Sequence, residues 1–160
     1  MDKRECGVLL HVSSLPSNHG IGTFGRSAYE FVDFLIEAGQ TYWQVLPLCP
    51  TSYGDSPYQS FSTFAGNPYF IDFDLLCEDG LLKKGDYSRI NWGENPEKID
   101  FQKLYKNRFK VLKKAYDNFD LSNFDYVEFC NKNDFFMVFL SFLWIVACNL
   151  CRDWPPGQSY

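Results

Sequence analysis

The residues best suited to chemistry lie in the stretch Leu48–Asp72, where Tyr53, Asp55, Ser56 and Tyr58 crowd into six consecutive positions. The stretch holds six aromatic residues among small hydroxyl and amide side chains, a mixture that neither a helix core nor a plain connector needs. It reads as a functional loop, with flat apolar rings and polar groups presented together as on a binding surface. Gly54, Pro57, Gly66 and Pro68 read as residues that shape its backbone.

The other reactive side chains are scattered. Cys6, Cys49, Cys77, Cys130, Cys148 and Cys151 follow a start, Met1–Glu5, that is highly charged and carries no cleavable signal pattern. Reduced thiols in a cytoplasmic protein are therefore expected. Cys148 and Cys151 form the one close pair; with no second pair and no neighbouring histidine, neither zinc nor redox use is expected, and no metal or cofactor is assigned. His11, at the end of an apolar run, is read as a hydrogen-bonded core histidine, and His19 as a residue of a glycine-rich loop.

Composition bounds the rest. At 160 residues, 46% hydrophobic and 22% charged, the chain is of ordinary globular type and long enough for a core of single-domain size. A formal charge of -5 argues against a nucleic-acid surface. The locally basic run Lys103–Lys114 reads as the solvated face of an amphipathic helix.

The elements that must position the loop follow in order. Gly7–Val12 is a short apolar run suited to a strand buried on both faces. Ser27 with Glu30 fits a capping box, Ala28, Phe31, Leu35 and Ala38 share one helical face, and Gly39 supplies a left-handed stop. Tyr42–Leu48 is again strand-like, with Pro47 tolerated only near its end. Strand, helix and strand make a parallel β-α-β unit, an α/β signature, and ligands of such folds sit at the carboxyl ends of the strands. Those ends are Ser13–Gly25 and Cys49–Pro68.

Further on, Tyr69–Asp74 alternates as a short strand would, Leu75–Gly80 reads as a helical turn, and Leu81–Glu97 lacks a period. Phe101, Tyr105, Phe109, Leu112, Tyr116 and Phe119 recur at helical spacing, and a further helix is expected from near Ser122 to Asn131. Phe135–Cys151 is 17 residues without a charge. It is read as a buried helix, not a membrane span, because polar residues dilute it and no basic flank marks an orientation.

Several motifs occur together in a known order: Gly7–His11 with Ser13-Ser14-Leu15-Pro16, Gly20-Ile21-Gly22, Tyr42-Trp-Gln-Val-Leu-Pro-Leu48, Tyr53-Gly-Asp-Ser-Pro-Tyr-Gln-Ser-Phe61 and Ala65-Gly-Asn-Pro68. The chain thereby resembles the amino-terminal part of the amylomaltases, the 4-alpha-glucanotransferases of glycoside hydrolase family 77. The resemblance is dense over about residues 5–76 and loose over 100–119. It implies the amino-terminal part of a (β/α)₈ TIM barrel, incomplete in this chain, with a helical inserted subdomain. The expected divisions are 1–76 for the first barrel portion, 77–134 for the subdomain and 135–160 for an apolar tail that departs from the family pattern, where a frameshift or truncation is expected.

The activity implied is transfer of a segment of an α-1,4-glucan to a 4-hydroxyl of glucose or another glucan, by a retaining double displacement that needs two carboxyl groups and no cofactor. Maltodextrin, starch-derived or glycogen-derived oligosaccharides and glucose as acceptor are the implied partners. The family's three catalytic carboxylates fall on later barrel strands, so none is assigned in this chain. Size agrees, since such a barrel takes about 250 residues.

By the same resemblance, Tyr58 and Ser56 match positions on the donor side of the cleft, and Tyr53 and Tyr105 match the tyrosines of a secondary glucan groove. A sugar ring offers an apolar C–H face to an aromatic ring while its hydroxyls seek polar partners. Asp55 either binds a hydroxyl pair or holds a turn; Tyr53 and Tyr58 either touch sugar or brace the loop. Tyr105 sits in an apolar stripe that favours core packing, and His19 faces the site from the other loop. Three readings remain open: the transferase, a glucan-binding fragment without catalysis, and a truncated product with no stable fold, because a sheet missing most strands leaves unpaired edges. No turnover is expected from the 160 residues alone.

Overall fold

The structure, a computed structural model, describes residues 4–51, 54–60, 62, 65–95 and 97–133. Strand β1, Gly7–Leu9, is followed by a 3₁₀ turn at Val12–Ser14, helix α1, Arg26–Glu37, and strand β2, Tyr42–Gln44. The strands pair in parallel with Gly7 opposite Tyr42, Val8 opposite Trp43 and Leu9 opposite Gln44. The expected β-α-β unit is present, although both strands are shorter than their apolar runs. Trp43 ties the unit together: its Nε1 donates to the Leu10 carbonyl at 2.7 Å and its ring meets Phe31 of α1 edge-on at 5.0 Å.

Two expectations about this unit are corrected. Leu9 and Tyr42 are each 58% exposed, so the strands are not buried on both faces. Among the described residues the sheet has only two strands, and one helix cannot cover both of its faces. Helix α1 starts after Gly25, not at a Ser27 cap, and no side chain caps it. Gly25 lies against Asp72, whose Oδ2 would stand 2.1 Å from any added Cβ, so this first position has no room for a side chain. The stop is as expected, with Gly39 at φ +67°.

After a 3₁₀ turn at Pro68–Phe70 comes α2, Phe73–Glu78, capped by Asp72, which accepts from Asp74 N and Leu75 N. The strand expected at Tyr69–Asp74 is therefore a turn and a helix start: the Asn67 and Asp72 side chains accept backbone N–H groups that a ladder would otherwise use. A 3₁₀ turn at Lys84–Asp86 precedes α3, Phe101–Asp117, capped by Asp100, and α4, Phe124–Lys132, capped by Asn123. Ser122 bonds to Asp120 and leaves the cap of α4 to its neighbour.

Helix α3 presents a different face from the one its aromatic spacing suggests. Leu104, Arg108, Val111 and Ala115 are buried, while Tyr105 and Tyr116 are exposed. The buried stripe lies one residue, about 100° of helix rotation, from the expected one. The lysines behave as a solvated face, Lys103 facing Glu94 and Asp100, Lys113 pairing with Asp117 and Lys114 with Asp86.

One core runs through these elements. Val12, Leu15, Ile21, Ala28, Phe70, Phe73, Leu82, Tyr87, Trp92 and Leu104 belong to a single buried cluster, so the stretches on either side of residue 76 pack together. No helix among the described residues is long and apolar enough to cross a membrane. The apolar run 135–151 and the pair Cys148 and Cys151 lie outside the described residues.

Candidate functional site

The aromatic loop is built from its neck outward. Asn67 N donates to the Leu48 carbonyl at 2.9 Å, and Thr51 and Ser60 form an antiparallel bridge, so the segment between them projects as a hairpin. Its turn needs unusual backbone: Gly54 has φ +93° and Asp55 φ +53°, a region that glycine, asparagine and aspartate tolerate best. Burial raises the Asp55 carboxyl above the usual carboxylate range. Ser56 closes the next turn, its carbonyl accepting from Gln59 N at 3.0 Å and its Oγ from Tyr58 N at 3.4 Å.

The turn leaves Tyr58 72% exposed, its ring free to meet a ligand. Tyr53 lies outside the described residues. Tyr105 is 63% exposed, not packed into the core as its apolar stripe suggested, and stands edge-on to Phe109 at 6.0 Å. Phe109 in turn meets Tyr69 at 5.8 Å. The Tyr69 phenol is pushed up to about 12, by burial first and then by the charges of Asp55 and Tyr105. Asp55 and Tyr58 on the hairpin and Tyr105 on α3 are the polar and aromatic groups available for a binding wall.

His19 is not part of that wall. It is buried between Phe73 and Tyr87, with ring centroids at 5.6 and 5.1 Å, and its Nε2 pairs with Asp74 Oδ2 at 3.0 Å while Nδ1 is buried as well. Neither ring nitrogen is presented to a ligand. Tyr87 donates to the other Asp74 oxygen at 2.8 Å. Burial works to raise the Asp74 carboxyl, but the His19 and Tyr87 hydrogen bonds and the nearby positive charges hold it below the usual range. His11 packs edge-on against Phe70 at 5.4 Å with Nδ1 buried and unpartnered, so ring packing, not a hydrogen bond at that atom, seats it.

A cleft of about 820 Å³ opens between the post-β1 loop, the start of α1 and α2; His19 lines it with Asn18, Arg26, Glu30, Asp72 and Asp74, and no described residue of the hairpin does. Among the described residues no cluster of histidine, cysteine and carboxylate side chains is arranged to hold a metal ion.

Arg108 is the residue that the sequence reading missed. It is fully buried, with Nη1 donating to the His19 carbonyl at 3.4 Å, Nη2 donating to the Ile71 carbonyl, and Cζ 4.3 Å above the Phe73 ring. The available signal was its register with Leu104, Val111 and Ala115, which repeats at helical spacing and marks a second, less aromatic stripe.

Comparison with known proteins agrees with the motifs. The profile of glycoside hydrolase family 77, described as 4-alpha-glucanotransferase, matches residues 10–155. A 4-alpha-glucanotransferase of Clostridium butyricum is 64% identical over 111 residues, covering 69% of this chain and 23% of that protein. One from Streptococcus pneumoniae is 53% identical over 167 aligned positions, covering 99% of this chain and 33% of its own length. The chain therefore spans a third or less of these curated relatives. Among solved structures, the amylomaltase from Streptococcus agalactiae in complex with acarbose superposes with a TM-score of 0.77 at 51% identity, covering 82% of this chain and 27% of that one. On this sequence and structural likeness, the chain belongs to the 4-alpha-glucanotransferase family, glycoside hydrolase family 77.

Proposed function

We propose that this chain forms the amino-terminal part of a cytoplasmic 4-alpha-glucanotransferase and supplies a wall of its glucan site. In that reading the β-α-β unit opens a (β/α)₈ barrel, and the helices after residue 76 form a subdomain inserted into it. A segment of an α-1,4-glucan passes to a 4-hydroxyl of glucose or another glucan by a retaining double displacement, through carboxyl groups outside these 160 residues. Tyr58 stacks on a sugar ring, Ser56 and Asp55 meet hydroxyls, and Tyr105 with Tyr53 holds the glucan further along. Maltodextrin and starch-derived or glycogen-derived oligosaccharides are the ligands.

The observation that carries this reading is the exposure of two rings, Tyr58 on a constrained turn and Tyr105 beside Phe109. Exposed rings held in place, with a carboxyl and hydroxyls beside them, suit a ligand that is apolar on its ring faces and polar at its rim. The Streptococcus agalactiae relative, solved with acarbose, supports a carbohydrate ligand.

The 160-residue chain is expected to bind maltodextrin in a fluorescence titration and to leave maltotriose unchanged. Glucose and longer oligomers appearing from maltotriose would overturn the placement of the carboxyl groups outside the chain. Titration curves without saturable binding would overturn the wall itself.

A further inference from the structure

We infer that Arg108 is a positioning residue that sets the spacing between Tyr105 on α3 and the aromatic hairpin bearing Tyr58. The inference starts from the groups that Arg108 holds; its consequence for glucan binding rests on the function proposed above.

Arg108 is a poor choice for packing alone. Burying a guanidinium costs desolvation that an apolar side chain of similar volume would avoid, and burial pushes this one down to about 10 despite the nearby Asp72 charge. What the fork adds is direction. Its two arms bond carbonyls on separate segments, His19 in the post-β1 loop and Ile71 at the base of the aromatic loop, while its plane lies over Phe73 at the start of α2. Two segments, the post-β1 loop and the Ile71–Phe73 stretch that joins the aromatic loop to α2, are thereby referenced to one point on α3.

That point lies one helical turn from Tyr105, on the neighbouring face. The base that Arg108 grips includes Tyr69, which packs at a tilt against Phe101 and Phe109 of α3, and two residues before it Asn67 N bonds the Leu48 carbonyl at the neck of the hairpin. A shift of α3 along the Ile71 carbonyl would change the gap between Tyr105 and the hairpin without removing either ring. Lysine can reach one carbonyl but not both, and methionine neither, so the two substitutions grade the loss of direction.

The test measures that gap. Spin labels are attached through Tyr58→Cys and Tyr105→Cys in a chain whose six native cysteines are replaced by serine, and the distance distribution is recorded by electron paramagnetic resonance. Arg108→Met is expected to broaden or shift it and Arg108→Lys to do so less. Val111→Ala, which hollows the same buried face without touching the fork, should leave it narrow. In unlabelled protein Arg108→Met is expected to weaken maltodextrin binding at least fivefold and Val111→Ala to leave it near the parent value. A narrow, unshifted distribution in folded Arg108→Met overturns the inference. Loss of a cooperative melt in both Arg108 variants overturns it too, by assigning the residue to fold maintenance. A distribution that depends on Arg108 in a chain that binds no maltodextrin supports the positioning role and sinks the glucan reading instead.

Discussion

Arg108 and Tyr58 stand at opposite ends of one design. The first is fully buried and commits its guanidinium to two carbonyls and a ring; the second, on the hairpin that opens at Thr51, leaves most of its ring to solvent. Around Arg108 most polar groups find partners inside the protein, Asp74 taking His19 and Tyr87 and Asp72 taking Thr23 and the first N–H groups of α2, while Arg108 Nε and His19 Nδ1 are buried without one. On the hairpin the backbone is constrained but the side-chain faces are open. A binding wall needs both, because a ring can hold a ligand only if its backbone is fixed and its face is vacant. Substitutions should therefore separate the regions, with stability falling at the hub and ligand binding at the hairpin.

The largest stability effect is expected at Phe73, which touches His19, Tyr87, Trp92 and Arg108. Phe73→Ala should cost about 3–5 kcal/mol, read as a lower urea midpoint. A change under about 1 kcal/mol would mean that the hub does not anchor the fold. Asp72→Ala comes next, at about 1–2 kcal/mol, because it removes the α2 cap and the acceptor of Thr23 Oγ1. Circular dichroism melts would check it, and Asp72→Asn, which keeps a capping oxygen, should recover part of the loss.

The two regions should also answer pH with opposite signs. Asp74 is held below its ordinary value of 3.8, so its contribution is present above that value and is lost as pH falls through the lower folded value. Asp55 is raised from the same 3.8 by burial, so its contribution is present below that value and is lost as pH rises through the folded one. Melting temperature followed from about pH 2 to 7 should show Asp74→Asn flattening the acid limb. Asp55→Asn should remove a small cost above the raised value. Parallel curves for both variants and the parent would erase the electrostatic difference between hub and hairpin.

How far the sequence foretold this contrast follows from the range of the forces involved. The β-α-β unit, the stop at Gly39 and the presence of a helix over Phe101–Asp117 were readable because local spacing decides them. The face of α3 was not: large aromatic residues announce an amphipathic helix, but partners distant in sequence decided that Leu104 and Arg108 turn inward and Tyr105 outward. Leu82, Tyr87 and Trp92 are core residues in a stretch without periodicity, so no local pattern marked them. Within the candidate wall, Ser56 and Tyr58 share a turn that Gly54 and Pro57 signal. The contact of Tyr69 with Phe109 joins residues forty apart, and the burial of His19 depends on Asp74 and Tyr87, so neither has a local sequence signal.

The smallest stability effect is expected at Tyr58, and it bears most directly on function. The backbone N–H of this residue is held by Ser56 Oγ while its ring is 72% exposed, so truncating the ring removes little packing and leaves the turn intact. Tyr58→Ala should change stability by no more than about 0.5 kcal/mol. If the ring stacks on sugar, the same change should weaken maltodextrin binding about fivefold to tenfold, the equivalent of about 1–1.4 kcal/mol. Tyr58→Phe keeps the ring face and should bind nearly as well as the parent, which assigns the effect to stacking and not to the hydroxyl. A Tyr58→Ala protein that melts with the parent and binds maltodextrin equally well would show an exposed ring with no ligand to meet, and the hairpin would then differ from the hub in burial alone.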